Sequence, residues 1–318
     1  MNAQLNEWLE MLRSPNLDDR LVAVKTLQHL GEENAIDALI TALQDESTAV
    51  QKIAITALWE IANPVVVPAL IPCLASPEAE IRSEALSALG ELVSSEHLQL
   101  LLDSLQQENF HLQSNILILL RKIHDAQCLP ATVNFFQSER PELREAAVTT
   151  LSYLNQVQNC PPALELMQDS DDSVRRAAAL TLGHLADEEA IALLTQALTT
   201  DPDWQVRRNA AKSLAIHANP SAIFAVEKAL KDEHWQVRKS AIQVLQKIPD
   251  TRLLPTLIKA LADEYSDVRK EAAIALGNLN HADAISALQQ ALDDCDREVS
   301  IQAQRAIAKI SSSSESVT

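Results

Sequence analysis

The stretch DEYSDVRKEAAIALGNL, residues 263–279, decides the fold of this chain. Counted from Arg269, small or aliphatic residues recur at +3, +4, +7, +8 and +10, as Ala272, Ala273, Leu276, Gly277 and Leu279. This spacing is typical of the buried face of an amphipathic helix. A second apolar set, at +16, +19, +22 and +23, follows a polar break at 280–283. The stretch and its continuation therefore predict a helical hairpin.

The same pattern recurs along nearly the whole chain. The anchor positions lie 31 residues apart, with a single interval of 32, at Arg20, Gln51, Arg82, Gln113, Arg144, Arg175, Arg207, Arg238, Arg269 and Ser300. Neither helix of such a hairpin can bury its apolar stripe alone, so neighbouring hairpins have to stack. We predict an all-α fold, an α-α superhelix of about nine and a half 31-residue hairpins.

No break in composition interrupts the repeats, so we predict one continuous solenoid over residues 1–310. Residues 1–13 are expected to supply the second helix of an N-terminal half-unit, and Glu298–Ile310 a closing first helix. The Ser-rich residues 311–318 lack an apolar stripe and are expected to form a disordered tail.

The composition of the 318 residues narrows the function classes. A hydrophobic content of 47% excludes wholesale disorder, and 4 glycines with 3% aromatic residues are too few for a β-sandwich. The 44 acidic and 26 basic side chains leave a net charge of −18 without any basic tract, which argues against a nucleic-acid partner. The longest apolar stretch, 65–75, contains two prolines and falls short of the roughly 20 residues of a spanning helix. We therefore expect no membrane insertion.

The four cysteines form no Cys-x-x-Cys pair, and the N-terminal residues lack the features of a signal peptide. Both observations favour reduced thiols and a cytoplasmic location. Cys128 and Cys160 stand at the start of second helices in successive repeats. They are either packed thiols or ligands of a metal or iron–sulfur cluster that a partner completes.

Two charged positions recur once per repeat. The anchor arginines are joined by aspartates six residues before the anchor, at Asp45, Asp169, Asp201, Asp232, Asp263 and Asp294. We predict that each aspartate caps backbone N–H groups of the inter-repeat turn, while each arginine pairs with an acidic group of a neighbour. The result would be a ladder of ion pairs along the stack.

The unit at 263–279 resembles the short HEAT-like repeat of the phycobilisome lyase family, the E/F-type bilin lyases, and the resemblance covers nearly the whole chain. It implies a HEAT-like solenoid in a phototroph, a cyanobacterium, with a linear tetrapyrrole bilin as cofactor and a phycobiliprotein as partner. Those lyases consist of two different subunits, whereas this protein is one long chain. The repeat motif names no catalytic residue. If the chain is an enzyme at all, the resemblance implies a lyase-like activity.

An aromatic and basic group of residues marks the C-terminal third. Trp204, Trp235 and Tyr265 stand in consecutive inter-repeat turns, and Phe224 lies on a second helix. Basic side chains are near them in sequence, at Arg208, Lys228, Lys231, Lys239 and Lys259. Aromatic residues beside cations are typical of protein interfaces, and equally of a platform for a flat, acid-bearing ligand such as a tetrapyrrole. Alternatively, the two tryptophans cover the seam between repeats.

The chain shows no nucleophile elbow and no glycine-rich phosphate loop. We therefore predict a non-catalytic scaffold or adaptor that cups a protein partner on a concave face formed by the second helices. The predicted partner-binding residues are Trp204, Trp235, Phe224, Tyr265, Arg208, Lys228 and Lys231. Two alternatives remain open: a bilin lyase-like protein or chaperone acting on phycobiliproteins, and an adaptor that works with an iron–sulfur assembly protein.

Overall fold

The computed structural model describes residues 3–155, 157–185 and 187–315. All regular elements of these residues are helical, and they alternate between a first and a second helix of each repeat. The chain divides into two compact units, 1–156 and 157–318. In the numbering below, even-numbered helices are first helices and odd-numbered helices are second helices.

The unit 1–156 contains ten α-helices. They are α1 (Ala3–Met11), α2 (Leu17–Leu30), α3 (Ile36–Ala42), α4 (Thr48–Ile61), α5 (Val67–Leu70), α6 (Ala79–Leu92), α7 (Leu98–Leu105), α8 (Phe110–Ile123), α9 (Leu129–Val133) and α10 (Pro141–Leu151). Short 3₁₀ turns accompany the second helices, at Glu33–Ala35, Pro64–Val66, Ile71–Ala75, Ser95–His97, Ala126–Cys128 and Asn134–Gln137.

The unit 157–318 contains the other ten. They are α11 (Pro161–Glu165), α12 (Asp172–Thr181), α13 (Glu188–Thr200), α14 (Trp204–His217), α15 (Ile223–Ala229), α16 (Trp235–Lys247), α17 (Leu254–Ala260), α18 (Ser266–Leu279), α19 (Ile285–Gln290) and α20 (Arg297–Glu315). Its 3₁₀ turns are Leu166–Gln168, Leu182–His184, Pro220–Ala222, Thr251–Leu253, Ala282–Ala284 and Ala291–Asp293.

The first helices bury the face that the sequence spacing predicted. In α18, Ala272, Ala273 and Leu276 are fully buried. Several first helices begin at an Asp or Asn cap, as at Asp203, whose side chain accepts the Val206 N–H at 2.9 Å. Five of them end in a left-handed residue, of which only Gly31 is a glycine. The predicted all-α fold of stacked helical hairpins is therefore confirmed.

The second helices differ from the prediction of a second helix of similar length. Their α-helical part is short, as in the four residues of α5, because a 3₁₀ turn opens most of them and often closes them. Asx caps explain the openings, since the Asn63, Asp125, Asn219 and Asp250 side chains each accept the N–H two residues later. The exception is α13, a continuous helix of 13 residues in the repeat that is 32 residues long.

Both chain ends carry the predicted half-units, α1 and α20. The closing helix runs beyond Ile310 to Glu315, so residues 311–315 are helical where the sequence predicted a disordered tail. The reason is the absence of a stop signal, since no Gly or Pro follows Ile310. Residues 316–318 lie outside the described part. The single continuous solenoid over 1–310 stays a prediction.

Close helix packing depends on a glycine where α18 meets α20. A Cβ atom built on Gly277 would lie 2.9 Å from the Ala306 Cβ and 3.0 Å from the Ala306 Cα. Because backbone is involved, the two helices would have to move apart to accept any side chain. Gly90, at the equivalent place in α6, has nothing within 4 Å of its Cβ position.

We expect Gly277→Ala to destabilise the fold by about 1–3 kcal/mol, because it overpacks the contact between α18 and α20. Gly90→Ala is the matched control and should stabilise by about 0.5–1 kcal/mol, since alanine is the better helix former. Urea unfolding followed by circular dichroism measures both. Equal shifts in the two variants would show that the close approach at Gly277 does not matter.

Candidate functional site

The ladder arginines join each inter-repeat turn to the next. Arg207 Nε and Nη2 donate to both carboxylate oxygens of Asp232, at 2.7 and 3.0 Å, while Nη1 donates to the Asp201 and Pro202 carbonyls at 2.9 and 3.3 Å. Asp232 Oδ1 also accepts the N–H of His234 at 2.9 Å. One guanidinium thus fixes its own turn and binds the aspartate that shapes the following turn. The predicted ladder is confirmed by this geometry.

The complete arrangement recurs in five places: Arg20 with Asp45, Arg175 with Asp201, Arg207 with Asp232, Arg238 with Asp263, and Arg269 with Asp294. It does not recur at every repeat. Arg82 makes contacts with its own turn, to the Ser76 and Pro77 carbonyls, but Gln107 stands where the partner aspartate would be. The unbroken run of four pairs lies in the unit 157–318.

The ladder is a structural device. Hydrogen bonding from Arg269 lowers the pKa of Asp294, with its capped N–H and the arginine charge acting in the same direction. The side chains of Arg269 and Asp294 are only 11% and 10% exposed, so the pair is held largely out of water. Every donor and acceptor is used within the turns, which leaves the pair no group to offer a ligand.

We expect Asp294→Asn to cost about 2–4 kcal/mol at pH 7, because Arg269 loses its charged partner. The lowered pKa of Asp294 means that this stabilisation is present above the unfolded value of about 3.9 and is lost as the pH falls through the lower folded value. The stability difference between variant and wild type should therefore shrink between pH 5 and pH 2, as measured by urea unfolding. Asp283→Asn, at a side chain 77% exposed, is the control and should change little.

The tryptophans stack on residues of the following turn. The Trp204 and His234 rings lie 5.1 Å apart at 22°, and the Trp235 and Tyr265 rings 5.2 Å apart at 18°. In the other unit, Arg140 covers Phe110 at the same spacing of 30 residues, 4.7 Å from the ring centroid. The aromatic residue at the start of a first helix therefore covers the seam to the next repeat, as one of the two interpretations from sequence predicted.

Cations occupy further aromatic surface in this stack. The Arg208 guanidinium lies 5.3 Å from the Trp204 ring centroid, and the Lys239 ammonium lies 5.9 Å from that of Trp235. Both tryptophans are half-buried, and Tyr265 is 41% exposed. The ring surface that remains for a partner is thus small at the tryptophans. Their role as partner-binding residues, together with that of Arg208, stays a prediction.

We expect Trp235→Ala to destabilise the unit 157–318 by about 1–2 kcal/mol, because it removes the stack on Tyr265 and uncovers the seam. Phe224→Ala should change stability by less than about 0.5 kcal/mol, since that ring is mostly in water. Thermal unfolding compares the two. If both variants unfold with the wild type, the stack contributes nothing to the seam.

Phe224 has a different environment from the tryptophans. It is 69% exposed on α15, with the Lys228 ammonium 5.0 Å from its ring centroid. Beside it lies a groove of about 410 Å³, whose opposite wall is the α13 surface of Ala192, Thr195, Gln196 and Thr199. We call this the Phe224 groove. Its walls combine a large apolar ring, a cation and uncharged polar side chains.

A second groove, of about 620 Å³, lies on the other side of α15, against α17. We call it the Lys259 groove. Its charged lining residues are Lys231, Asp232, Arg238, Lys259 and Asp263. The two aspartates are bound by the ladder, Asp232 by Arg207 and Asp263 by Arg238. None of the described carboxylates forms an ion pair with Lys228, Lys231 or Lys259, so these ammonium groups are uncompensated.

The structure thus divides the predicted partner-binding residues between two places. The first-helix turns hold Trp204, Arg208, Trp235 and Tyr265, and the second-helix face holds Phe224, Lys228 and Lys231. Two participants were not predicted. His234 stacks on Trp204, and Arg238 lies both in the Lys259 groove and 5.9 Å from the Tyr265 ring centroid. Their constant spacing from the aromatic residues was the available signal.

The candidate metal-ligating cysteines are both buried. Burial raises the pKa of the Cys128 thiol to about 11 and also raises that of Cys160, so both stay protonated near neutral pH. Within the described residues, no group of three or more His, Cys, Asp and Glu side chains is placed to hold a metal ion. A cluster completed by a partner at Cys128 or Cys160 stays a prediction.

Comparison with known proteins agrees with the fold. The family model of HEAT repeats matches residues 5–90, 98–176, 129–215, 160–246 and 223–308. The chain therefore belongs to the HEAT-repeat family. It is also similar to a crystal structure of an engineered protein, with 23% identity and a TM-score of 0.53 over 98% of this chain and 99% of that chain.

No curated protein matches the sequence. The finer resemblance to the phycobilisome lyase repeats, with its bilin, its phycobiliprotein and its cyanobacterial host, stays a prediction. Among the described residues, none of the helices is both long and apolar enough to cross a bilayer.

Proposed function

We propose that this protein is a non-catalytic scaffold that binds another protein through the second-helix face of residues 188–262. The exposed Phe224 ring carries this proposal. A large apolar side chain that is 69% exposed, beside a groove and free of other rings, is typical of an interface anchor. The HEAT repeats support it, because stacked helical hairpins present extended surfaces to partner proteins.

The energetic contribution of the ring can be bounded. Covering a phenylalanine removes up to about 150–250 Å² from water, at about 25 cal/mol per Å². Part of the Phe224 ring is already covered, so a partner that seats on it gains about 2–3 kcal/mol there. Truncation of the ring should consequently weaken binding by about 30- to 100-fold.

We expect Phe224→Ala to abolish capture of the native partner from an extract of the cells that express the protein. Tagged wild type and variant are compared by quantitative mass spectrometry of their eluates. Ile216→Ala is the matched control, because Ile216 is 59% exposed on α14, the first helix of the same hairpin. The control should capture as the wild type does. If Phe224→Ala captures every partner as well as the control, the docking surface lies elsewhere.

A bilin-binding role is a second proposal, and the Phe224 and Lys228 pair favours it. The ring would stack on a linear tetrapyrrole, and the ammonium would pair with a propionate carboxylate. A bilin absorbance band in the wild-type eluate that Phe224→Ala removes would support this role, whereas a colourless eluate would count against it. The iron–sulfur role would instead give a brown eluate that fades in Cys128→Ser and Cys160→Ser.

A further inference from the structure

We propose that the segment bound on the second-helix face is an acidic stretch of the partner chain that carries an apolar side chain. The inference rests on the proposed docking surface and adds the chemistry of its occupant. The apolar side chain packs on Phe224 in the Phe224 groove. The carboxylates pair with Lys228, Lys231 and Lys259.

The argument begins with charge. The protein as a whole carries a net charge of −18, yet the two grooves reverse this sign locally. The α13 wall contributes Ala192, Thr195, Gln196 and Thr199, none of which is charged. On α15 and at its end, Lys228 and Lys231 are exposed. An acidic protein that presents cations at one apolar groove selects a partner of opposite charge there.

The carboxylates of the lining do not cancel these lysines. Asp232 and Asp263 each accept two hydrogen bonds from a ladder arginine and a third from a backbone N–H. Glu227, the acidic residue of α15, is half-buried and lines neither groove. The carboxylates nearest the grooves are therefore committed or turned away, and the three ammonium groups remain for a ligand.

The arrangement of the cations favours peptide carboxylates over a polyphosphate. The three lysines are spread over two grooves on either side of α15, around an aromatic ring. A phosphate chain would be repelled by the remainder of the acidic surface and would gain nothing from Phe224. A peptide with spaced carboxylates and an apolar side chain uses both features of the face.

The test uses the full-length protein and a photo-activated crosslinker at Ser221, an exposed residue that lines the Phe224 groove. Because a benzophenone side chain reacts with any nearby C–H bond, it identifies the bound segment without selecting for charge. We expect the crosslinked partner segment to contain an excess of Asp and Glu and at least one large apolar residue. A crosslinked segment that is neutral or basic would overturn the inference.

The lysines are tested separately with Lys228→Gln, Lys231→Gln and Lys259→Gln combined in one chain. We expect this variant to capture the partner about tenfold less well, with a weaker dependence on salt than the wild type. Lys247→Gln is the control, because Lys247 is exposed at the end of α16 and lines neither groove. Unchanged capture by the triple variant would also overturn the inference.

The two proposals fail in different ways. If Phe224→Ala loses the partner while the triple lysine variant keeps it, the docking surface stands and the acidic occupant is wrong. If Phe224→Ala keeps the partner and Ser221 yields no crosslink, the docking surface itself is wrong.

Discussion

The pairing of one guanidinium with the aspartate of the next turn is the interaction on which the rest of the structure depends. In Arg238 the same group also binds the Asp232 carbonyl of its own turn, at 2.9 Å. Each turn is therefore held by the arginine that follows it and by the arginine of the preceding repeat. Gln51 shows what is lost without a guanidinium, since its amide reaches the Asp45 carbonyl of its own turn and no further.

The ladder also determines which charges the surface can offer. In the run from Arg175 to Asp294, the aspartates of the turns are occupied by arginines. Lysines on the adjoining second helices consequently lack carboxylate neighbours, although the protein is strongly acidic. A structural device of the turns thus creates the positive character of the grooves on either side of α15.

Much of the fold was predictable because its period is written in the sequence. The 31-residue spacing and the 3, 4, 7 pattern identified the first helices, and one Asp and one Arg per repeat identified the ladder. The short second helices were not foreseen, because their 3₁₀ turns depend on local capping rather than on apolar spacing. The division of the site was also missed, since spacing alone does not show that Trp204 stacks on His234 while Phe224 faces water.

The one repeat of irregular length has a consequence for how such arrays acquire specificity. Arg175 and Asp201 are 26 residues apart, whereas the other pairs are separated by 25, so the ladder absorbs the added residue without breaking. The insertion falls in the segment that forms α13, and each added residue turns a helix by about 100°. It therefore changes which α13 side chains point at the Phe224 groove while the buried contacts keep their partners. A repeat protein can in this way revise its recognition surface by a change in register, without redesigning its core.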